Sequence, residues 1–159
     1  MDSAIRSFKF LTVTPVLVPA AYGAGDQLGA GLLTLSGAAV GKGLVRIDNI
    51  TVIDNIKQSI AVDLLFFSDN IAVASSDNAA ADVTDALMKT NFLGSVSFPT
   101  ASYIALNANS YCNIFVDKVM KSEHLDGNLY VLPVTRGTPT YDAAGNLSFR
   151  ICLEQLSRG

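Results

Sequence analysis

Gly43-Leu44-Val45-Arg46-Ile47-Asp48-Asn49-Ile50-Thr51-Val52-Ile53-Asp54-Asn55-Ile56-Lys57-Gln58-Ser59-Ile60-Ala61-Val62-Asp63-Leu64-Leu65-Phe66-Phe67-Ser68 is the stretch that decides the fold class. It holds two runs dense in β-branched and aromatic residues, parted by the polar segment 54–58. That pattern predicts two adjacent antiparallel strands joined by a short polar loop. In the second run Ile60, Val62, Leu64 and Phe66 share one face, while Leu65 and Phe67 make its far end apolar on both. Such a strand belongs in the middle of a sheet, covered on both sides for part of its length. In the first run the apolar phase changes from Val45 and Ile47 to Ile50 and Val52. A slip of one at Asp48-Asn49 predicts a β-bulge or bend.

Outward from this pair, the rest of the chain repeats the strand signal. Phe8 to Thr14 alternates and stops at Pro15, which lacks a ladder donor. Arg6 and Lys9 ahead of an apolar run give it a loose likeness to a secretory signal, but Thr12, Thr14 and Pro15 interrupt that run, and the strand is the better reading. Gly31 to Ser36 is a short strand. Asp69 to Ala81 reads as a surface loop, followed by a short helix over 83–89 with Asp82 as N-cap and Asp85 in the first turn. Phe92 to Phe98 and Tyr111 to Met120 are further strands, the latter with Ile114, Val116 and Lys118 on one face. Leu129 to Thr135 contains Pro133, which predicts an edge strand or a bulge. The last strand, Leu147 to Leu156, sets Leu147, Phe149, Ile151 and Leu153 against Ser148, Arg150, Cys152 and Glu154. About eight strands, one helix and no βαβ rhythm predict an all-β antiparallel β-sandwich, in one version a jelly roll. Its expected core is Val45, Ile47, Val62, Leu64, Phe66, Ile114, Val116, Phe149 and Ile151. Residues 1–7 read as an N-terminal arm and 8–159 as a single sandwich domain.

Composition narrows the function classes. The 159 residues suit one well-buried domain, half of it hydrophobic, 16% charged, with a net charge of −3. So few charges point to surface hidden against other subunits, or to a surface rich in Ala and Gly. Lys and Arg are scattered singly, so no nucleic-acid partner is expected. No run reaches transmembrane length, so no membrane partner is expected either. Cys112 and Cys152 lie in apolar runs without metal-ligand spacing and read as buried free thiols.

Individual motifs carry little chemistry. Gly37-Ala38-Ala39-Val40-Gly41-Lys42-Gly43 is one residue short of a phosphate loop, has Gly where Ser or Thr should bind magnesium, and lies between strands. His124, the sole histidine, sits in a polar turn beside Glu123 and Asp126 and reads as a solvated surface residue. No Gly-x-Ser-x-Gly elbow accompanies it, although triad members need not be neighbours in sequence. Asp63 within an apolar strand is a candidate buried carboxylate with a shifted pKa, or a residue that faces a neighbouring strand's donors or simply points outward. The sequons at Asn49 and Asn146 read as accidental. No catalytic residue, cofactor site or metal site is expected.

Several segments together carry a resemblance. Val13-Thr14-Pro15 and Tyr22-Gly23-Ala24-Gly25-Asp26 come first, then Asp54 with Gln58 and the strand end Leu64-Leu65-Phe66-Phe67-Ser68. Asp77-Asn78-Ala79-Ala80, Leu93-Gly94-Ser95-Val96 and Leu129-Tyr130-Val131 follow. The most distinctive is Thr135-Arg136-Gly137-Thr138-Pro139-Thr140-Tyr141, and Gly145-Asn146-Leu147 closes the series. Through most of its length the chain resembles small virion proteins of tailed bacteriophages and prophages. The resemblance implies a non-enzymatic structural role, placed as a head decoration or cement protein on the capsid exterior, assembled in the host cytoplasm. It implies two partners, the major capsid protein and further copies of the chain, with a trimer favoured. Arg136, Gly137, Thr138, Pro139 and Tyr141 are the candidate structural loop, since an Arg can fix a tight loop through carbonyls or an acid. Phe8, Phe10 and Leu11 are the candidate assembly arm. The competing expectation is a tail-tip or fibre-associated module that binds host glycans through Tyr22, Tyr103, Tyr111 and Tyr141 exposed on loops.

Overall fold

The computed structural model describes residues 7–156. Nine strands and one helix follow in order: β1 (Ser7–Val13), β2 (Leu33–Leu35), β3 (Leu44–Asp54), β4 (Val62–Phe67), α1 (Asp85–Asn91), β5 (Phe92–Phe98), β6 (Ile104–Ala105), β7 (Ser110–Lys121), β8 (Leu129–Thr135) and β9 (Leu147–Leu156). They form a five-stranded sheet, β1-β9-β3-β7-β6, facing a four-stranded sheet, β2-β8-β4-β5. Every pairing is antiparallel. Apart from the two-residue β6, the pairs nest: β1 with β9, β2 with β8, β3 with β7, β4 with β5. A long antiparallel ribbon rolled on itself, and closed by the β3–β9 and β4–β8 ladders, gives this order, so the sandwich is a jelly roll.

The alternating side chains of the two inner faces make the core. Val45, Ile47, Ile50, Val52, Leu64, Phe66, Phe98, Phe149 and Ile151 are fully buried in one cluster, with Ile114 and Val116 half-buried against it. The phase change in β3 is a real irregularity: register slips between Ile47 and Asn49 against both β7 and β9. Without that slip, Val45 and Ile50 could not both face inward. Phe67 faces the other side of β4 and is buried in a second cluster with Ile71, Tyr130, Leu132 and Val134.

Several expectations are corrected. The runs on either side of 54–58 are strands, yet they are not neighbours, because β3 and β4 lie in opposite sheets. The Asp54 carboxylate accepts from Ile56 N at 3.1 Å and Ser59 N at 2.8 Å. Lys57 and Ser59 take φ of 56° and 50°, so the chain crosses between sheets and does not double back. Ile60 lies ahead of β4. Pro133 is in an interior strand: its carbonyl accepts from Leu28 N at 3.0 Å, on the side where the short β2 has already ended. A strand residue's N–H and C=O point to the same side, so the missing donor leaves the β4 ladder intact. The helix starts later than expected, with Thr84 as the N-cap and Asp85 in the first turn. Lys118 is exposed and donates to Ser95 O at 2.8 Å, bridging the edges of the two sheets. Cys152 and Glu154, on the outward side of β9, are nonetheless buried, and Asp69 to Ala81 covers a sheet. The expected arm falls on residues outside the described ones, except Ser7, which opens β1.

Candidate functional site

Two places unite residues singled out by the sequence. The first is the loop after β8, at one end of the sandwich. Arg136 N donates to Ala61 O at 2.7 Å, and its guanidinium Nε meets Asp63 Oδ2 at 2.6 Å. The Asp63 side chain is largely buried, so the acid in the apolar strand is accounted for by this ion pair. At Gly137 a Cβ would stand 2.4 Å from Ile60 Cγ2, so the close approach of the loop to β4's lead-in requires glycine. Thr138 is exposed, while Pro139 is buried and its carbonyl accepts from Tyr22 N at 2.9 Å. Thr140 N donates to Gln58 Oε1 at 3.0 Å and Tyr141 N to Ala20 O at 3.1 Å. The Tyr141 ring stands edge-on to Tyr22, centroids 5.6 Å apart. Three loops, after β1, β3 and β8, are thereby knitted together.

This knitting overturns the premise of a tyrosine-lined glycan surface. Tyr22 and Tyr141 are each 2% exposed. Burial raises the phenol pKa of both, and the Tyr22 hydroxyl is further tied to the Asp77 carboxylate at 2.9 Å. Tyr103 is packed against the core with its hydroxyl buried, and burial raises its pKa as well. Tyr111 is half-buried. Asn146 is also withdrawn from the surface: its Oδ1 accepts from Asp142 N and Ala143 N, both at 2.9 Å.

The second place is the outward face of the five-stranded sheet. Register aligns Phe8, Glu154, Arg46 and Val119 in one row across β1, β9, β3 and β7, and Phe10, Cys152, Asn49 and Phe115 in the next. The rims of these rows are apolar and open, with Phe8 52%, Phe10 56%, Phe115 72% and Val119 55% exposed. Arg150 lies over the Phe10 ring, 4.4 Å from its centroid. In the floor between the rims, Arg46 bridges Glu154 at 2.5 Å and Asp117 at 3.4 Å. Burial pushes the Cys152 thiol up, reinforced by the nearby Asp48 carboxylate. Of the candidate arm, then, Phe8 and Phe10 point outward, while Leu11 packs against the core. Phe115 and Val119 went unrecognised from sequence, although the odd positions of 111–119 are as apolar as the even ones and carry that signal.

The outer face of the four-stranded sheet is different, because residues 69–91 lie across it. His124 Nε2 is 2.8 Å from Asp69 Oδ1 at the start of that cover, so this histidine is half-buried and partnered. Among the described residues no three His, Cys, Asp or Glu side chains are grouped to hold a metal ion.

No family model matches the chain, and no curated protein matches it. Its fold is similar in outline to solved structures from viruses. One of infectious bursal disease virus, Gx strain, has a TM-score of 0.38 at 10% identity, over 96% of this chain and 33% of the other. The VP2 subviral particle of the same virus gives 0.32 at 10% identity, over 96% and 38%. A full particle of Israeli acute paralysis virus gives 0.24 at 14% identity, over 95% and 67%. The chain thus spans about a third of the first two structures' chains. The jelly-roll assignment rests on the strand order of the two sheets.

Proposed function

We propose that the chain is a non-enzymatic structural protein of a virus particle: a decoration or cement protein on the exterior of a tailed-phage head. In this reading it assembles in the host cytoplasm, joining the major capsid protein and other copies of itself, in threes. The observation that carries the proposal is the asymmetry of the two outer faces. One sheet is covered by the chain's own residues 69–91, and the other leaves Phe8, Phe10, Phe115 and Val119 open. Aromatic and branched side chains open on both rims of one face, which no other described residue covers, suit a surface that meets other protein. A shell component gains from this arrangement, since many weak identical contacts engaged together multiply in effect. A closed ring of copies also buries such a face without leaving an open end. The resemblance through the Arg136 loop and the segments around it supports the tailed-phage assignment.

The test is the mass of the protein in solution, its copy number in purified particles, and the heat and low-salt resistance of particles lacking it. Hundreds of copies, an oligomer in solution and fragile particles without it are the expected results. The double variant Phe8→Ser, Phe10→Ser should fold and fail to bind the shell. A strictly monomeric protein, with particles equally robust in its absence, would overturn the proposal.

A further inference from the structure

We infer that residues 69–91 form a latched lid, a unit that opens from the outer face of the four-stranded sheet while the sandwich stays folded. The two ends of the segment are pinched together. Ser68 N donates to Asn91 O at 2.9 Å, and the Asn91 side-chain amide reaches Ser68 Oγ at 3.4 Å. A segment closed at its neck can swing away without breaking a strand ladder. Beneath it lies a cluster distinct from the main core, made by Phe67, Tyr130, Leu132 and Val134 of the sheet. The lid contributes Ile71, which is buried, and Val73, Ala81, Val83, Leu87 and Met88, which are only half-buried. No residue of α1 is fully buried. Elements with so little buried apolar area open at lower free energy than core strands do.

Polar contacts do the fastening, and they converge on one side chain. The Asp77 carboxylate accepts from Val18 N at 3.0 Å, from the Tyr22 hydroxyl at 2.9 Å and from Gly29 N at 2.7 Å. All three donors belong to the loop between β1 and β2, so Asp77 pins the lid to a different segment. Around it, Gln27 N donates to Ala79 O at 2.8 Å, Asn78 N to Gln27 O at 3.0 Å, and Ala81 N to Gly25 O at 3.0 Å. The fully buried Gln27 side chain accepts from Ser75 Oγ at 2.5 Å. Residues 25–28 in turn bond the β8 carbonyls beyond β2, so the latch is anchored to the sheet: Gly25 N donates to Thr135 O and Leu28 N to Pro133 O. A carboxylate holding three donors is a strong fastening, because bonds to a charged group are worth more than neutral ones.

Native-state hydrogen exchange on the full chain, over a series of sub-denaturing urea concentrations, tests this. The amides of Asn78 and Ala81, whose acceptors Gln27 O and Gly25 O lie outside the lid, should exchange through an opening with a smaller urea dependence than global unfolding, at least tenfold faster than those of β3 and β9. Asp77→Asn should speed exchange of the lid amides about ten- to hundredfold, the range for loss of hydrogen bonds to a charged group, and should speed the β3 and β9 amides, which exchange by global unfolding, by the same factor, so that the gap between lid and core is kept. Tyr22→Phe, which removes one donor and keeps the ring, should give a smaller acceleration of the same amides. Lid and core amides exchanging together with one urea dependence would overturn the inference, as would lid rates indifferent to Asp77→Asn. The wild-type urea series decides the question alone if the Asp77 variant does not fold.

Discussion

Phe66→Ala is the substitution from which the packing argument yields a number. The Phe66 ring is fully buried near the end of β4, between Gly94 on β5 and Val131 on β8. Removing the ring takes away its transfer free energy and leaves a void whose size depends on how far the neighbours relax. Relaxation is limited on both sides: Gly94 has no side chain to move in, and Val131 is itself fully buried. The loss should therefore be about 3–5 kcal/mol, the range for truncating a buried aromatic. Against a total stability of about 5–15 kcal/mol that is a large share. In urea, with a slope of about 2 kcal/mol/M, the unfolding midpoint should fall by about 2 M with the slope unchanged. A loss below about 1 kcal/mol, the scale of a surface substitution, would show that β4 does not supply the centre of the core.

Other outcomes follow from single contacts. Gly137→Ala places a methyl group 2.4 Å from Ile60 Cγ2 and should cost about 1–3 kcal/mol, read as a lower urea midpoint. Arg136→Lys keeps the charge and loses the planar fork aimed at Asp63, so folding or assembly should weaken while glycan binding, assayed on an array, stays absent. Cys112 and Cys152 are buried, with thiol pKa values raised by burial, so iodoacetamide should label them in the unfolded chain and spare the native one. The same groups set an alkaline limit. A folded-state pKa above the unfolded value gives stability that is complete below the unfolded pKa and is lost as pH rises. Unfolding midpoints should then decline from about pH 8.5 for the thiols and about pH 10 for Tyr22, Tyr103 and Tyr141.

The strands were legible because side-chain alternation is a local property. β5 and β9 carry the boundaries read from the sequence, and the phase change at Asp48-Asn49 is the bulge itself. Pairing was less legible, because it depends on what a turn does. The polar segment after β3 resembles a hairpin loop in composition, yet Asp54 captures two backbone amides and directs the chain across the sandwich. Exposure of the tyrosines failed for a similar reason. A loop residue is exposed by default, but Tyr22 and Tyr141 belong to loops that pack on one another. The partner of Arg136 could be anticipated as an acid, but only the β4–β8 register brings Asp63 beside it.

The edges of the sandwich bear on how copies would meet. An open edge strand invites pairing with another chain, and proteins that avoid this place charges, bulges or glycines there. On β1, Lys9 is turned back to bond Gly37 O at 3.1 Å. On β7, Asp117 takes a φ of 47° and Lys118 reaches across to β5, while β5 itself carries Gly94 at a φ of 140°. Each long edge thus has a feature that resists strand addition. The outer face of the five-stranded sheet differs: its rims are Phe8, Phe10, Phe115 and Val119, Arg46 pairs with Glu154 and Asp117 in its floor, and Arg150 lies over the Phe10 ring. Contacts made side by side through edges set strand against strand and can propagate from copy to copy, whereas contacts made through a face are limited to the copies that face can hold and close where the symmetry relating them closes. A protein that repeats at defined positions on a shell needs the second kind of contact, and the distribution of open apolar side chains on this sandwich favours it.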